Sequence, residues 1–107
     1  MPIVKIKYNS KKVSDSEAEV LAVAIQKIVA ETTGIPEVLV YADSPKIQVE
    51  TTPVEIFVSC SAHKIPDLDS LMNTTKEKIK QWKTESGFNQ PITLTITPMN
   101  WKFEVDI

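Results

Sequence analysis

The sequence predicts an α+β fold of two layers, in which two tandem β-α-β units form a four-stranded mixed sheet with both helices on one face. Three observations carry the prediction. Apolar residues alternate along four short segments and recur at helical spacing along two longer ones. The punctuating residues also repeat at one interval, since Gly34 and Gly87 lie 53 residues apart, as do Pro45 and Pro98. A chain of 107 residues has room for one core and not two. Residues 1–107 are therefore expected to be a single domain with pseudo-repeats 1–53 and 54–107.

The elements follow in order. Ile3-Val4-Lys5-Ile6-Lys7-Tyr8 reads as a strand. Ser14-Asp15-Ser16-Glu17 has the form of a capping box, in which Ser14 and Glu17 each satisfy a backbone amide at a helix start. Leu21, Ala24, Ile25, Ile28 and Val29 then recur at helical spacing, with Glu19, Lys27 and Glu31 on the polar side. Gly34 ends the helix as a left-handed cap, followed by Pro36. Val38 to Ala42 is a second strand. The layout then repeats, with a strand over Val54 to Cys60 and a helix opened by Pro66 or Asp67. Leu68, Leu71, Met72, Thr75, Ile79 and Trp82 mark its buried face, and Gly87 closes it. Ile92, Leu94 and Ile96 alternate with Thr93, Thr95 and Thr97 along the last core strand. At the 53-residue interval Ile3 falls on Ile56 and Lys11 on Lys64.

Each β-α-β crossover is expected to be right-handed, which packs both helices on one sheet face. The other face, semi-polar through its threonines, is left for a partner subunit to cover. Lys46 to Glu50 reads as a short extra strand. Trp101 to Ile107 reads as another, placed to pair with a neighbouring subunit's edge.

Composition narrows the function classes. Net charge is −2, and every basic residue other than His63 is a lysine. Without arginine there is no bidentate fork for a carboxylate or phosphate, and scattered lysines on an acidic chain make a poor nucleic-acid binder. One histidine and one cysteine cannot supply a common zinc site. No metal and no cofactor are expected. No apolar run approaches the ~20 residues of a membrane span, and no basic start leads into an apolar signal segment. With Cys60 as the single cysteine an internal disulfide is impossible, and a cytoplasmic setting is expected.

Met1-Pro2 opens directly into the first strand. Removal of Met1, the usual fate of an initiator methionine before a small residue, would leave Pro2 as a secondary amine at the chain end. An α-amino group titrates near ~8 in water, and an apolar pocket disfavours its charged form. Such an amine is a candidate general base near neutral pH. With Met1 retained the Pro2 nitrogen is an amide and no base, and Pro2 is then simply a strand-start proline, tolerated because that position need not donate to a ladder.

The start Met1-Pro2-Ile3-Val4-Lys5-Ile6, the pair Lys11-Lys12 and Ser14-Asp15 at the helix start resemble the 4-oxalocrotonate tautomerase branch of the tautomerase superfamily. The doubled layout, Thr33-Gly34-Ile35-Pro36 and Met99-Asn100 are similar to its macrophage migration inhibitory factor branch. A tautomerase-like branch apart from both suits the mixture. The resemblance spans nearly the whole chain in layout, while strong residue matches are confined to about the first fifteen positions. It implies a homotrimer with Pro2 as general base or acid at the floor of an intersubunit pocket, acting on a small anionic keto or unsaturated acid. It further implies Lys11 or Lys12 in place of a substrate-binding arginine. His63 and Lys64 stand where another branch has an arginine after the third strand. Met99, Trp101 and Tyr41 would line the pocket. Departures are equally visible: Ile35 stands where a lysine follows the turn glycine, Thr93 and Thr95 replace a tyrosine and an asparagine, and Pro98 replaces a water-activating glutamate.

Each of these residues also has a plain reading. Lys11, Lys12, His63 and Lys64 are then solvated loop residues, Cys60 a buried structural thiol and Trp82 core. Three functions follow. One is a tautomerase-like enzyme based on Pro2. A second is a non-enzymatic trimeric binding module that has lost catalytic residues. The third is a ferredoxin-type two-layer domain with antiparallel strands interleaved, which binds a protein partner.

Overall fold

The computed structural model describes all of residues 1–107, with strands β1 (Ile3–Tyr8), β2 (Leu39–Asp43), β3 (Val54–Ser61) and β4 (Ile92–Met99) and helices α1 (Asp15–Thr33) and α2 (Leu68–Ser86). The sheet order is β2-β1-β3-β4. β1 pairs parallel with β2 and antiparallel with β3, and β3 pairs parallel with β4. Each half is thus a parallel β-α-β unit, and the two meet back to back at the central antiparallel pair. That order excludes the ferredoxin-type interleaving.

Local chemistry sets the helix ends. The Ser14 hydroxyl accepts from the Glu17 amide at 3.1 Å, and the Ser14 amide donates to the Glu17 carboxylate at 3.0 Å. Two of the donors that a helix start leaves orphaned are thereby satisfied. Asp67 caps α2 through the Ser70 amide at 3.0 Å. Gly34 and Gly87 end the helices at φ 72° and 77°, a left-handed conformation that costs a residue with a Cβ more than glycine.

Strand alternation divides the sheet into two faces. Val4, Ile6 and Tyr8 of β1 and Val54, Ile56, Val58 and Cys60 of β3 point toward the helices and are buried. All but Cys60 pack in one cluster with Ala18, Leu21, Ile25, Ile28 and Val29 of α1 and with Ile79 of α2. α2 contributes less to the core than the spacing predicted. Thr75 and Ile79 are buried, Leu71, Met72 and Trp82 are half-buried, and Leu68 at the first turn is exposed. The helices meet through Thr75, whose hydroxyl donates to Thr32 at 3.4 Å.

Several expectations need correction. The second strand runs Leu39–Asp43, one residue later than predicted. Lys46 to Glu50 forms no strand, because Gln48 turns back and donates to Ser44 Oγ and the Pro45 carbonyl. Trp101 to Ile107, whose expected pairing is with a neighbouring subunit, pairs with no strand of its own chain. Its indole is tied back to Ser61, and Asp106 takes a left-handed φ of 55°. The 53-residue interval holds for the helices, since α1 and α2 begin and end that far apart. It does not hold for the first strands: Ile3 lies on the open face while Ile56 lies in the core.

Where β1 leaves the sheet, the buried Tyr8 hydroxyl donates to Asp15 at 2.6 Å, tying strand to helix start. That hydrogen bond, then burial, raises the Tyr8 pKa above its ordinary value. The stabilisation belongs to the neutral phenol. It is complete below the unfolded value of about 10 and is lost as pH rises through the folded one. Tyr8→Phe is expected to cost about 1–2 kcal/mol at neutral pH, read as a lower urea midpoint, and to remove the part of the loss above pH ~10 that is due to this bond. An unchanged midpoint would show that the bond contributes nothing.

Candidate functional site

Four strand termini converge at one end of the sheet: the starts of β1 and β2 and the ends of β3 and β4. Pro2 sits there, one residue ahead of β1, and its side chain is less than 2% exposed. The Leu39 amide donates to the Pro2 carbonyl at 3.1 Å, fixing the chain start against β2. On the other side the antiparallel register pairs Ile3 with Ser59. Continued by one residue, it sets Cys60 opposite Pro2, both on the helix side. Pro2 therefore enters the sheet between two neighbours, with its ring buried on the helix side.

Cys60 is fully buried. Burial pushes its thiol pKa up, and the charge on the chain's terminal amine, the Ser61 amide and the Lys64 ammonium oppose the rise. The thiol stays neutral at physiological pH, as the structural reading of Cys60 holds, and it forms an apolar wall beside Pro2.

The remaining candidates divide into two groups. His63 and Lys64 occupy the single 3-10 turn Ala62–Lys64 that follows β3; both are exposed. Lys64 lines a small cleft with Thr32, Thr33, Ser70 and Thr74, where the end of α1 meets the start of α2. Met99 pairs with Ser61 at the end of β4. The Trp101 indole N–H donates to Ser61 Oγ at 2.8 Å, and its ring meets Phe103 edge-on at 6.1 Å. These four residues and Pro2 share one end of the sheet.

Lys11, Lys12 and Tyr41 do not join them. Lys11 and Lys12 follow the far end of β1, a strand of six residues, so roughly 20 Å of extended chain separates them from Pro2. Lys11 lines a polar cleft there with Lys46 and Glu50. Tyr41 lies on the open sheet face beside Lys5 and is exposed.

Ser61 was absent from the sequence reading. Its importance rests on the tail folding back, which no local pattern announces. Cys60 was recognised as a buried thiol, but its place opposite Pro2 depends on the β1–β3 register. No group of three His, Cys, Asp or Glu side chains converges anywhere in the chain, and no helix is long and apolar enough to cross a membrane.

The sequence matches no family model and no curated protein at a significant level. The fold does match solved structures. FG41 malonate semialdehyde decarboxylase inhibited by 3-bromopropiolate superposes with a TM-score of 0.70 at 16% identity, over 95% of this chain and 88% of the other. A 5-carboxymethyl-2-hydroxymuconate delta-isomerase gives a TM-score of 0.64 at 9% identity, over 100% and 88%. A macrophage migration inhibitory factor-like protein from Entamoeba histolytica gives 0.59 at 18% identity, over 96% and 95%. The order β2-β1-β3-β4 with two helices on one face, and these three superpositions, give the chain the fold of the tautomerase superfamily.

Proposed function

We propose that this protein is a tautomerase-like enzyme that moves a proton on a small keto or unsaturated acid, with Pro2 as general base and acid. One observation carries the proposal. Pro2 is seated at the head of a central strand with its ring buried, between the Leu39 amide and the neutral Cys60 thiol, in a fold that a decarboxylase and an isomerase also have. Freed from the preceding residue, its nitrogen would be a secondary amine beside apolar surface, where the uncharged form is favoured.

Lys64 and His63 follow β3 directly at that end of the sheet, and we assign them the substrate carboxylate. Lysine acts there as a point charge rather than a fork. Met99 and Trp101 would form the rim. Lys11 and Lys12 reach a Pro2 site only if a neighbouring subunit supplies them. Tyr41 likewise could line only a pocket shared between subunits.

A homotrimer is part of the proposal. The sheet face opposite the helices presents Leu39, Tyr41 and Phe57 to solvent among Lys5, Ser59, Thr95 and Thr97, a surface that favours burial against another subunit. The single buried thiol suits the cytoplasm.

A non-enzymatic trimeric binding module on the same scaffold is the second reading. It is favoured by the absence of arginine and by threonine at positions 93 and 95. Three measurements separate the readings. Intact mass establishes whether Met1 is gone, and turnover of phenylpyruvate is then followed on the processed chain together with its native mass. The enzyme reading expects proton exchange by a trimer lacking Met1. A processed trimer that exchanges no proton leaves the binding module, and a monomer removes both.

A further inference from the structure

We infer that the bond ahead of Pro2 can be hydrolysed only before the chain folds, so that the free Pro2 nitrogen is decided during synthesis and cannot be generated from the folded protein. The reaction is a hydrolysis. The bond between the preceding carbonyl carbon and the Pro2 nitrogen breaks, water supplies the new carboxylate oxygen, and a proton goes to the nitrogen. A peptidase has to hold the residues on both sides of that bond in an extended cleft. Those on the C-terminal side are not available.

Pro2 is less than 2% exposed, and Val4 and Ile6 are fully buried. The Pro2 carbonyl already accepts from Leu39. Ile3 is the first rung of two ladders at once, paired with Leu39 and with Ser59. β1 is an interior strand with a partner on each side, so presenting positions 2 to 4 to an enzyme means withdrawing the central strand. Fraying, which opens chain ends at low cost elsewhere, stops here at position 1. The argument is the same whether one residue or a longer segment precedes Pro2.

The consequence for activity rests on the proposed role of Pro2. A chain that folds with a residue still attached keeps an amide at position 2 for the life of the fold. Overproduction that outruns processing would then give a folded population that is inert and cannot be rescued afterwards.

The test reads mass rather than turnover, so it stands or falls separately from the proposed activity. Full-length protein retaining Met1 is incubated with a purified methionine aminopeptidase beside the pentapeptide Met-Pro-Ile-Val-Lys, and methionine loss is followed by intact mass. The peptide is expected to be processed at least about a thousandfold faster than the folded chain. Loss from the folded chain should be no faster than its global opening, measured by hydrogen exchange on the same sample. Ile6→Ala, which loosens the central strand, should speed the loss. Methionine release faster than global opening in the unmodified chain would overturn the inference.

Discussion

Pro2→Ala, made in a chain whose Met1 has been removed, is expected to lower kcat/KM for an enolisable keto acid by about two to four orders of magnitude, the usual contribution of a positioned base. Alanine keeps the carbonyl that accepts from Leu39, so the strand start stays attached. What changes is the nitrogen. A primary amine replaces a secondary one, and without the ring its direction is no longer fixed. Loss of a transition-state interaction lowers kcat and kcat/KM together, whereas loss of mere substrate binding raises KM alone. A fall confined to KM would place Pro2 in the pocket wall and not in the chemistry. A variant as active as the parent would end the enzyme proposal, provided both chains are confirmed to lack Met1.

The fold was legible because its signals are local. The capping box at Ser14 and Glu17, the left-handed glycines Gly34 and Gly87 and the alternation of Ile92, Leu94 and Ile96 each act within a few residues, and each fell close to its observed place. Two segments depend on something less local. Lys46 to Glu50 and Trp101 to Ile107 have strand-like alternation, but a strand needs a partner edge, and neither segment finds one within the chain. Both leave apolar side chains in solvent, Ile47 and Val49 in one and Phe103, Val105 and Ile107 in the other. Periodicity records what a segment can do and not whether a neighbour is present.

The site was legible only in part, because its geometry is a matter of register. Pro2 stood out through its position before an apolar strand. That Cys60 faces it follows from the pairing of Ile3 with Ser59, which no spacing in the sequence reveals. A constant interval of 53 residues even suggested the wrong match for Ile3, since the two first strands are offset by one residue from that interval and a one-residue offset puts a side chain on the opposite face. Lys11 and Lys64 fall together at that interval, yet Lys64 lies at the Pro2 end of the sheet and Lys11 at the other.

The largest stability effect is expected at the centre of the sheet. Ile6 and Ile56 face each other across the β1–β3 pair, and both are fully buried. Truncating either to alanine removes apolar contact and leaves a cavity that close-packed neighbours such as Leu21 and Ile25 cannot fully fill. A cost of about 3–4 kcal/mol is expected for each, a large share of the roughly 5–15 kcal/mol that holds a domain of this size. Because the two cavities would merge, Ile6→Ala with Ile56→Ala should cost less than the sum, by about 0.5 kcal/mol or more. Val23→Ala, on the exposed outer side of α1, should change stability by no more than about 0.5 kcal/mol. Urea unfolding of the parent and the four variants gives the comparison through their midpoints and slopes. The effect also reaches the site, since β1 has Ile6 in its middle and Pro2 at its head. A loosened central strand would free the proline that the intact core holds in place. Strict additivity of the two truncations would mean that the isoleucines pack independently and that the halves of the sheet are joined by backbone alone.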